Sequence, residues 1–272
     1  MPRFALKIEY LGKPFSGWQN QRGQLTVQQV VEDAVRELDP ACIGVHGAGR
    51  TDAGVHALGQ VAHCDLARDW DAFRLSEALN YHLRPHPVAI LGAARVPDSF
   101  HARFSAIGRC YVYRIVSRRS PLTIRRNRAW HIRHELDLEA MRQGAAQLLG
   151  LHDFTTFRSA ACQARSPVRT LDALDVRLEQ TNHQTEYVLV ATAQSFLHRQ
   201  VRSIVGTLER VGSGAWTPDQ VGEALQARTR NACGPVAPAH GLYLSDVRYS
   251  QDFFGNVRSS DCIEEPGAAG EI

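Results

Sequence analysis

The sequence predicts an α+β fold made of two related lobes with mostly antiparallel sheets. Segments with strand-like alternation are interleaved with segments of helical spacing in both halves of the chain. The 272 residues are enough for one large domain or two moderate ones. We therefore place the lobes at residues 1–107 and 108–250, joined near residues 105–110. Residues 251–272 are acidic and contain one proline and three glycines, so we expect a disordered tail there.

The first half opens with a strand, because apolar side chains occupy every second position of residues 4–10. Thr26 is placed to cap a helix whose apolar positions repeat at helical spacing over residues 27–38, and Pro40 ends it. The half is completed by a short strand at residues 60–66 and a helix at about residues 71–80.

The second half repeats this alternation. Asp137 is placed to cap a helix that runs through Leu149, and Thr217 begins a capping-box sequence for another helix. Between them, residues 199–211 carry an apolar stripe that predicts a helix with one buried face. Strands are predicted at residues 110–117, 171–179, 187–197 and 242–249.

Arginine is concentrated in one segment. Residues 95–133 hold ten arginines and a single acid, whereas residues 251–272 hold five acids and one base. Arginine is the usual base of this chain, with 29 Arg against two Lys, but that bias does not explain the local lack of acids. Because the guanidinium fork matches phosphate geometry, the segment indicates a polyanionic partner.

Composition excludes several classes of protein. No apolar run reaches the roughly 18 residues of a transmembrane helix. The first residues lack an apolar signal segment, so we expect a cytoplasmic protein without a membrane partner. The six cysteines show no Cys-x-x-Cys spacing. Cysteines and histidines crowd residues 42–64, and a metal-dependent hydrolase is one alternative, but we expect no metal and no cofactor.

The loop at residues 47–57 is the strongest candidate for a functional site. Its glycines let the backbone turn sharply and approach a ligand. In an extended segment Arg50 and Asp52 would share one face, and the guanidinium would favour the ionised carboxylate that a nucleophile requires. Taken alone, a surface turn with a local salt bridge is the simpler interpretation. A dinucleotide site is excluded, because Asp52 stands where that motif needs its third glycine.

Residues 49–57, GRTDAGVHA, resemble the active-site signature of TruA-type tRNA pseudouridine synthases. Further segments agree with that family in order, at residues 17–19, 100–106, 111–114, 153–158, 196–206 and 241–244. The resemblance implies the pseudouridine synthase fold, in which two lobes are joined into a central cleft. It also implies that a homodimer isomerises uridine to pseudouridine at positions 38–40 of the tRNA anticodon stem-loop, with an aspartate nucleophile and no cofactor.

The resemblance further implies a role for each matching residue. Asp52 is expected to be the catalytic carboxylate, with Arg50 pairing with it and helping to displace the RNA stem. Arg202 is expected to be a basic residue near the aspartate. Tyr111 is expected to stack on the target uracil and to take part in removing the C5 proton. The remaining expectations are a wall of the base pocket from Leu242 and Leu244, and RNA contacts from Arg103, Arg114 and Arg158.

One position departs from the family. Cys110 stands before Tyr111, where the family usually has a basic residue, so one phosphate contact is lost while the chemistry is unaffected. A non-catalytic RNA-binding protein with the same fold is a second alternative, although phosphate binding does not call for an aspartate beside Arg50. The pattern is compatible with Asp52 adding to C6, adding to C1′, or acting through a glycal after deprotonation at C2′.

Overall fold

A computed structural model describes residues 1–181 and 184–255, and it confirms the α+β class. The strands are β1 Arg3–Tyr10, β2 His46–Gly47, β3 His56–Asp65, β4 Val88–Val96, β5 Ala106–Ser117, β6 Trp130–Ile132, β7 Gly150–Asp153, β8 Val168–Leu171, β9 Ala173–Thr181, β10 Gln184–Ala193 and β11 Leu242–Tyr249. The helices are α1 Val27–Leu38, α2 Ala72–His82, α3 Leu138–Ala146, α4 Gln200–Gly212 and α5 Asp219–Ala227.

One continuous sheet runs through both halves of the described chain. Its order is β4-β1-β3-β11-β5-β10-β9, with β2 added to β3 and β6 added to β5. Neighbours along this order are antiparallel except for β3 and β11, which are parallel. Strands β7 and β8 form a separate two-stranded sheet. The prediction of mostly antiparallel sheets is therefore confirmed.

Helices α1 and α2 pack with β1, β3 and β4 around a first hydrophobic core. Thr26 caps α1 as predicted, since its hydroxyl accepts a hydrogen bond from the Gln29 backbone N–H at 3.3 Å. The valines that face the sheet from α1 are buried, and each contributes roughly 1.5–3 kcal/mol to folding. In this half, the alternation of apolar residues predicted β1 and their helical spacing predicted α1.

Helices α3, α4 and α5 pack with β5, β9 and β10 around a second hydrophobic core. The predicted apolar stripe of α4 is buried, but nearly every other side of that helix is buried too. The reason is the segment that crosses it: a Cβ added to Gly206 would lie 1.9 Å from the carbonyl oxygen of Pro235. Glycine permits this close approach, so the middle of α4 lies directly against the segment that leads to β11.

The last strand, β11, lies between the two halves. It pairs in parallel with β3 through Tyr243 and Leu244, and antiparallel with β5 along most of its length. Leu244 belongs to the first core and Leu242 to the second. Strand β11 therefore joins a strand of the first half of the fold to a strand of the second half.

Several element boundaries differ from the sequence prediction. Strand β4 was not predicted, because it lies at the sheet edge and its half-exposed residues alternate weakly. Helix α3 ends at Ala146, since the next backbone bonds span three residues and turn the chain into β7. Strand β3 begins at residue 56, four residues before the predicted start. Strand β10 ends at residue 193 and not at residue 197, because the chain turns there toward α4.

The predicted tail begins with ordered residues. Phe253 and Phe254 pack against the first core, and the ring of Phe253 lies 5.2 Å from that of Phe100. Residues 251–255 thus contact the folded part of the chain, whereas residues 256–272, which make up most of the predicted tail, lie outside the described residues. In residues 1–181 and 184–255, no helix has the length and apolarity needed to cross a membrane.

Candidate active site

The loop that carries Asp52 connects β2 to β3 and is held from both sides. Its turn closes where the Val55 backbone N–H donates to the Asp52 carbonyl at 3.1 Å, with Gly54 at φ +80°. Gln60, which is fully buried, bonds the N–H of Gly49 at 3.3 Å and its carbonyl at 2.7 Å. The loop is therefore rigid, and residue 54 requires a glycine because of its positive φ.

The carboxylate of Asp52 meets three basic side chains from the beginning of α4. Nη1 of Arg202 lies 2.7 Å from Oδ2, Nε2 of His198 lies 3.3 Å from Oδ1, and Nε of Arg199 lies 3.9 Å from Oδ2. The Asp52 side chain is 19% exposed and that of Arg202 is 14% exposed. The Asp52 carboxylate is thus partly sheltered from solvent and lies within ion-pair distance of two guanidinium groups.

Arg202 is itself fixed by the segment that crosses α4. Its Nε donates to the Ala237 carbonyl at 2.8 Å, and the N–H of Ala237 donates back to the Arg202 carbonyl at 3.0 Å. The guanidinium therefore reaches Asp52 from a defined direction. A carboxylate from the first half and a guanidinium from the second half meet at this point.

Tyr111 lies on β5 at the same site and is half-buried. Its ring packs edge-on against Phe196 at 5.2 Å, and its backbone pairs with Leu244 on β11. A Cβ at Gly49 would lie 3.8 Å from both the Tyr111 hydroxyl and a methyl group of Leu244. Burial raises the pKa of Tyr111 to about 12, an effect that Arg109 opposes and the negative charge of Asp52 reinforces. The phenol is therefore neutral near pH 7.

The pairing that we expected between Arg50 and Asp52 is wrong. In the part of the chain that the structure describes, the ion-pair partners of Asp52 are His198, Arg199 and Arg202, and the Arg50 side chain is exposed to solvent. The physical reason is the turn that begins at Asp52, which ends the extended backbone needed to place the two side chains on one face.

The other residues predicted for the site lie at different distances from the Asp52 loop. Leu244 borders the loop that carries Asp52, whereas Leu242 is buried in the second core. Arg103 is exposed beside Phe104. Arg158 is half-buried, and the N–H of the next residue, Ser159, donates to the His198 carbonyl at 2.9 Å, which places this turn at the rim of the site.

Arg114 is not brought to the site. It lies three residues from Tyr111 on β5 and so points to the opposite face of the sheet. There it forms an ion pair with the buried carboxylate of Glu186 at 3.0 Å. Cys110 lies on the same face and is fully buried with Val112 and two other valines, so its side chain is not exposed to an RNA phosphate.

Three residues near the site were not predicted from the sequence. His198 and Arg199 lie in the segment 196–206 that matches the family, but no role was expected for them. Arg109 is a buried arginine that donates to the carbonyls of Ala48 at 2.9 Å, Arg103 at 2.8 Å and Gln194 at 2.5 Å. Burial lowers the pKa of Arg109. The only signal in the sequence was that Arg109 belongs to the arginine-rich segment. Its burial, which distinguishes it from the other arginines, cannot be read from a strand pattern.

The cysteines and histidines of residues 42–64 do not gather at one point, and the rings of His46 and His63 form a pair of their own. Cys42 and Cys64 are buried in the first core, while the His56 ring stacks on Tyr243 at 4.7 Å. Among the described residues, no group of three His, Cys, Asp or Glu side chains is arranged to hold a metal ion.

Comparison with known proteins identifies the family. Residues 7–105 and 145–250 match the family model described as tRNA pseudouridine synthase. The chain is similar to the tRNA pseudouridine synthase A of Cereibacter sphaeroides, with 61% identity over 254 residues, covering 93% of this chain and all of the relative. It is 62% identical to the enzyme of that name from Paracoccus denitrificans over 261 residues, covering 95% of this chain and all of the relative. The chain therefore belongs to the tRNA pseudouridine synthase family.

Proposed function

We propose that this protein isomerises uridine to pseudouridine in tRNA, with Asp52 as the nucleophile. The reaction breaks the bond between C1′ and N1, turns the base, and joins C1′ to C5. The C5 proton leaves, N1 gains a proton, and the composition of the nucleotide is unchanged. The observation that carries the proposal is the position of the Asp52 carboxylate, which is held 2.7 Å from Arg202 in an ordered loop beside Tyr111.

Each neighbour of Asp52 has a physical task in this proposal. Arg202 stabilises the carboxylate and limits the orientations that it can take. The half-buried ring of Tyr111 offers a face for the flipped uracil, whose removal from the helix costs a few kcal/mol. Because the phenol is neutral near pH 7, it acts first as a hydrogen-bond donor and as a stacking surface. Leu244 supports the same pocket from β11.

We also propose that the site lies between two lobes of the chain. Residues 1–107 contribute Asp52 and residues 108–250 contribute Tyr111 and Arg202. Two separate hydrophobic cores support this division, although β5 runs without interruption across residues 107 and 108.

The substrate position and the assembly are proposed from the family resemblance. The targets are uridines at positions 38–40 of the anticodon stem-loop, modified in the cytoplasm, and two copies of the chain act together on one tRNA. Arg50, Arg103 and Arg158 are exposed or half-exposed side chains that are available to the RNA backbone. Transcripts with a single uridine at position 38, 39 or 40, together with sedimentation of the protein, test these two points.

The decisive experiment is tritium release from tRNA that carries 5-tritiated uridine. Asp52→Asn removes the nucleophile and should abolish release, while folding and tRNA binding stay close to those of wild type. Asp65→Asn is the matched control, since Asp65 also binds an arginine, Arg3, at 2.7 Å but lies at the other end of β3. It should release tritium at the wild-type rate. Normal turnover by Asp52→Asn contradicts the proposal.

A further inference from the structure

A group of aromatic and cationic side chains lies beside the catalytic loop, and the chemical step of the proposed reaction does not use it. It runs from the exposed Phe104 and Arg103 inward to His63, which is buried. The Phe104 ring is 75% exposed, and the Arg103 guanidinium lies 5.5 Å from its centroid. The His101 ring follows at 4.4 Å from Phe104, and the His63 ring at 4.6 Å from His101. His46, whose side chain is exposed, lies 5.1 Å from His63. We call these five side chains the aromatic stack.

The backbone that carries the aromatic stack is fixed from several directions. The N–H of Ala102 donates to Nδ1 of His63 at 3.2 Å, and the Tyr249 hydroxyl donates to the Ala102 carbonyl at 2.7 Å. Nη2 of Arg109 donates to the carbonyl of Arg103 at 2.8 Å. The exposed ring of Phe104 is therefore held on an ordered segment, in contact with the guanidinium of Arg103 and the ring of His101.

The aromatic stack and the catalytic loop share one anchor. The same Nη2 atom of Arg109 that binds the Arg103 carbonyl also donates to the carbonyl of Ala48 at 2.9 Å. His46 lies on β2, which leads directly into the loop that carries Asp52. An RNA strand that places a uridine at Asp52 would thus have neighbouring nucleotides near these rings.

The chemistry of the aromatic stack suits a nucleobase. Burial lowers the pKa of His63 to about 4, and burial also lowers the pKa of His101. Both imidazoles are therefore neutral, flat rings near pH 7, and Arg103 supplies the positive charge. An exposed aromatic face beside a guanidinium is the combination on which unpaired bases stack in single-stranded RNA.

We propose that the aromatic stack binds an unpaired nucleobase of the tRNA, outside the pocket that holds the reacting uridine, with Phe104 as its principal face. This inference rests on the proposed function, because it takes the tRNA as the ligand. It adds a second contact with the tRNA, one that affects binding and register and not the chemical step.

The test measures the affinity of unmodified tRNA for Asp52→Asn protein, so that turnover does not interfere. In that background we compare Phe104→Leu, Phe104→Trp and Phe73→Leu. Phe73 is the matched control, because its ring on α2 is 74% exposed and lies outside the aromatic stack. Loss of one stacked base weakens binding roughly 5- to 150-fold. We expect that loss for Phe104→Leu alone, with Phe104→Trp and Phe73→Leu close to the parent protein.

A second readout locates the base. With 2-aminopurine placed at single unpaired positions of the tRNA, one position should be quenched by the parent protein and by Phe104→Trp but not by Phe104→Leu. Equal affinity of Phe104→Leu and the parent protein overturns the inference. So does equal loss in Phe104→Leu and Phe104→Trp, since the contact would then not depend on an aromatic face. A change in sedimentation with unchanged tRNA affinity would assign the surface to a protein contact.

Pseudouridine formation by the wild-type protein is measured in parallel. If it is absent, the proposed function fails, whereas the affinities still report whether Phe104 contacts the RNA. If it is present and Phe104→Leu binds like the parent protein, only the stacking inference fails.

Discussion

Replacing Arg202 with methionine tests whether this guanidinium keeps Asp52 ready for reaction. In the structure Nη1 of Arg202 lies 2.7 Å from Oδ2 of Asp52, and the two side chains are 14% and 19% exposed. A hydrogen bond between charged groups contributes roughly 1.5–3 kcal/mol, and water screens a pair this sheltered only in part. If the whole contribution is lost from the transition state, the chemical step slows roughly 10- to 150-fold.

The assay is single-turnover tritium release with enzyme in excess over tRNA. Arg202→Lys keeps the charge but loses the planar fork, so we expect a rate between those of wild type and Arg202→Met. Arg210→Met is the matched control, because Arg210 is exposed near the other end of the same helix. It removes an equal charge from α4 and should leave the rate unchanged.

Stability measurements give an independent check on the same contact. A double-mutant cycle between Arg202→Met and Asp52→Asn, followed by urea unfolding, should show a coupling energy of about 1.5–3 kcal/mol. Asp52→Asn should also remove part of the destabilisation caused by Arg202→Met, because no charge is then left without its partner. The reasoning is refuted if Arg202→Met reacts at the wild-type rate and the coupling energy is near zero.

Two further predictions concern pH and salt. Because burial raises the pKa of Tyr111 to about 12, the phenol stays protonated well above its ordinary range. Tyr111→Phe should therefore bind tRNA normally but react more slowly, by a factor that is constant between about pH 7 and pH 10. A factor that changes with a midpoint below about pH 10 would show that the tyrosine ionises earlier than its burial allows. For the arginine-rich residues 95–133, tRNA affinity should fall steeply between about 50 and 200 mM salt. An affinity independent of salt would rule out a surface that follows phosphates.

The features that could be predicted from the sequence are those set by residues close together in the chain. Periodicity and capping located β1 and α1, and strand β11 was predicted with its observed bounds. The glycine-rich loop around Asp52 was recognised because its motif is contiguous. Such features depend on residues a few positions apart, whose geometry is set by the backbone itself.

Contacts between distant residues could not be derived in the same way. Arg50 was the natural partner for Asp52 because it is close in sequence, but Arg202, 150 positions away, supplies the observed hydrogen bond. Arg114 matched the family motif, yet its strand turns it toward Glu186. The anchoring role of Arg109 depends on three carbonyl groups from separate segments. These outcomes depend on how the sheet is assembled, and a single sequence does not contain that information.

The place of β11 in the sheet has a consequence for the newly made chain. This strand is the last of the sheet to leave the ribosome, yet it fills the position between β3 and β5. Until then one edge of β5 and the first residues of β3 lack their partner strand, and such edges pair readily with other chains. The joining that brings Leu244 against Tyr111 is therefore the same event that covers these edges. Protection from aggregation and completion of the site are therefore gained in one step, when β11 enters the sheet.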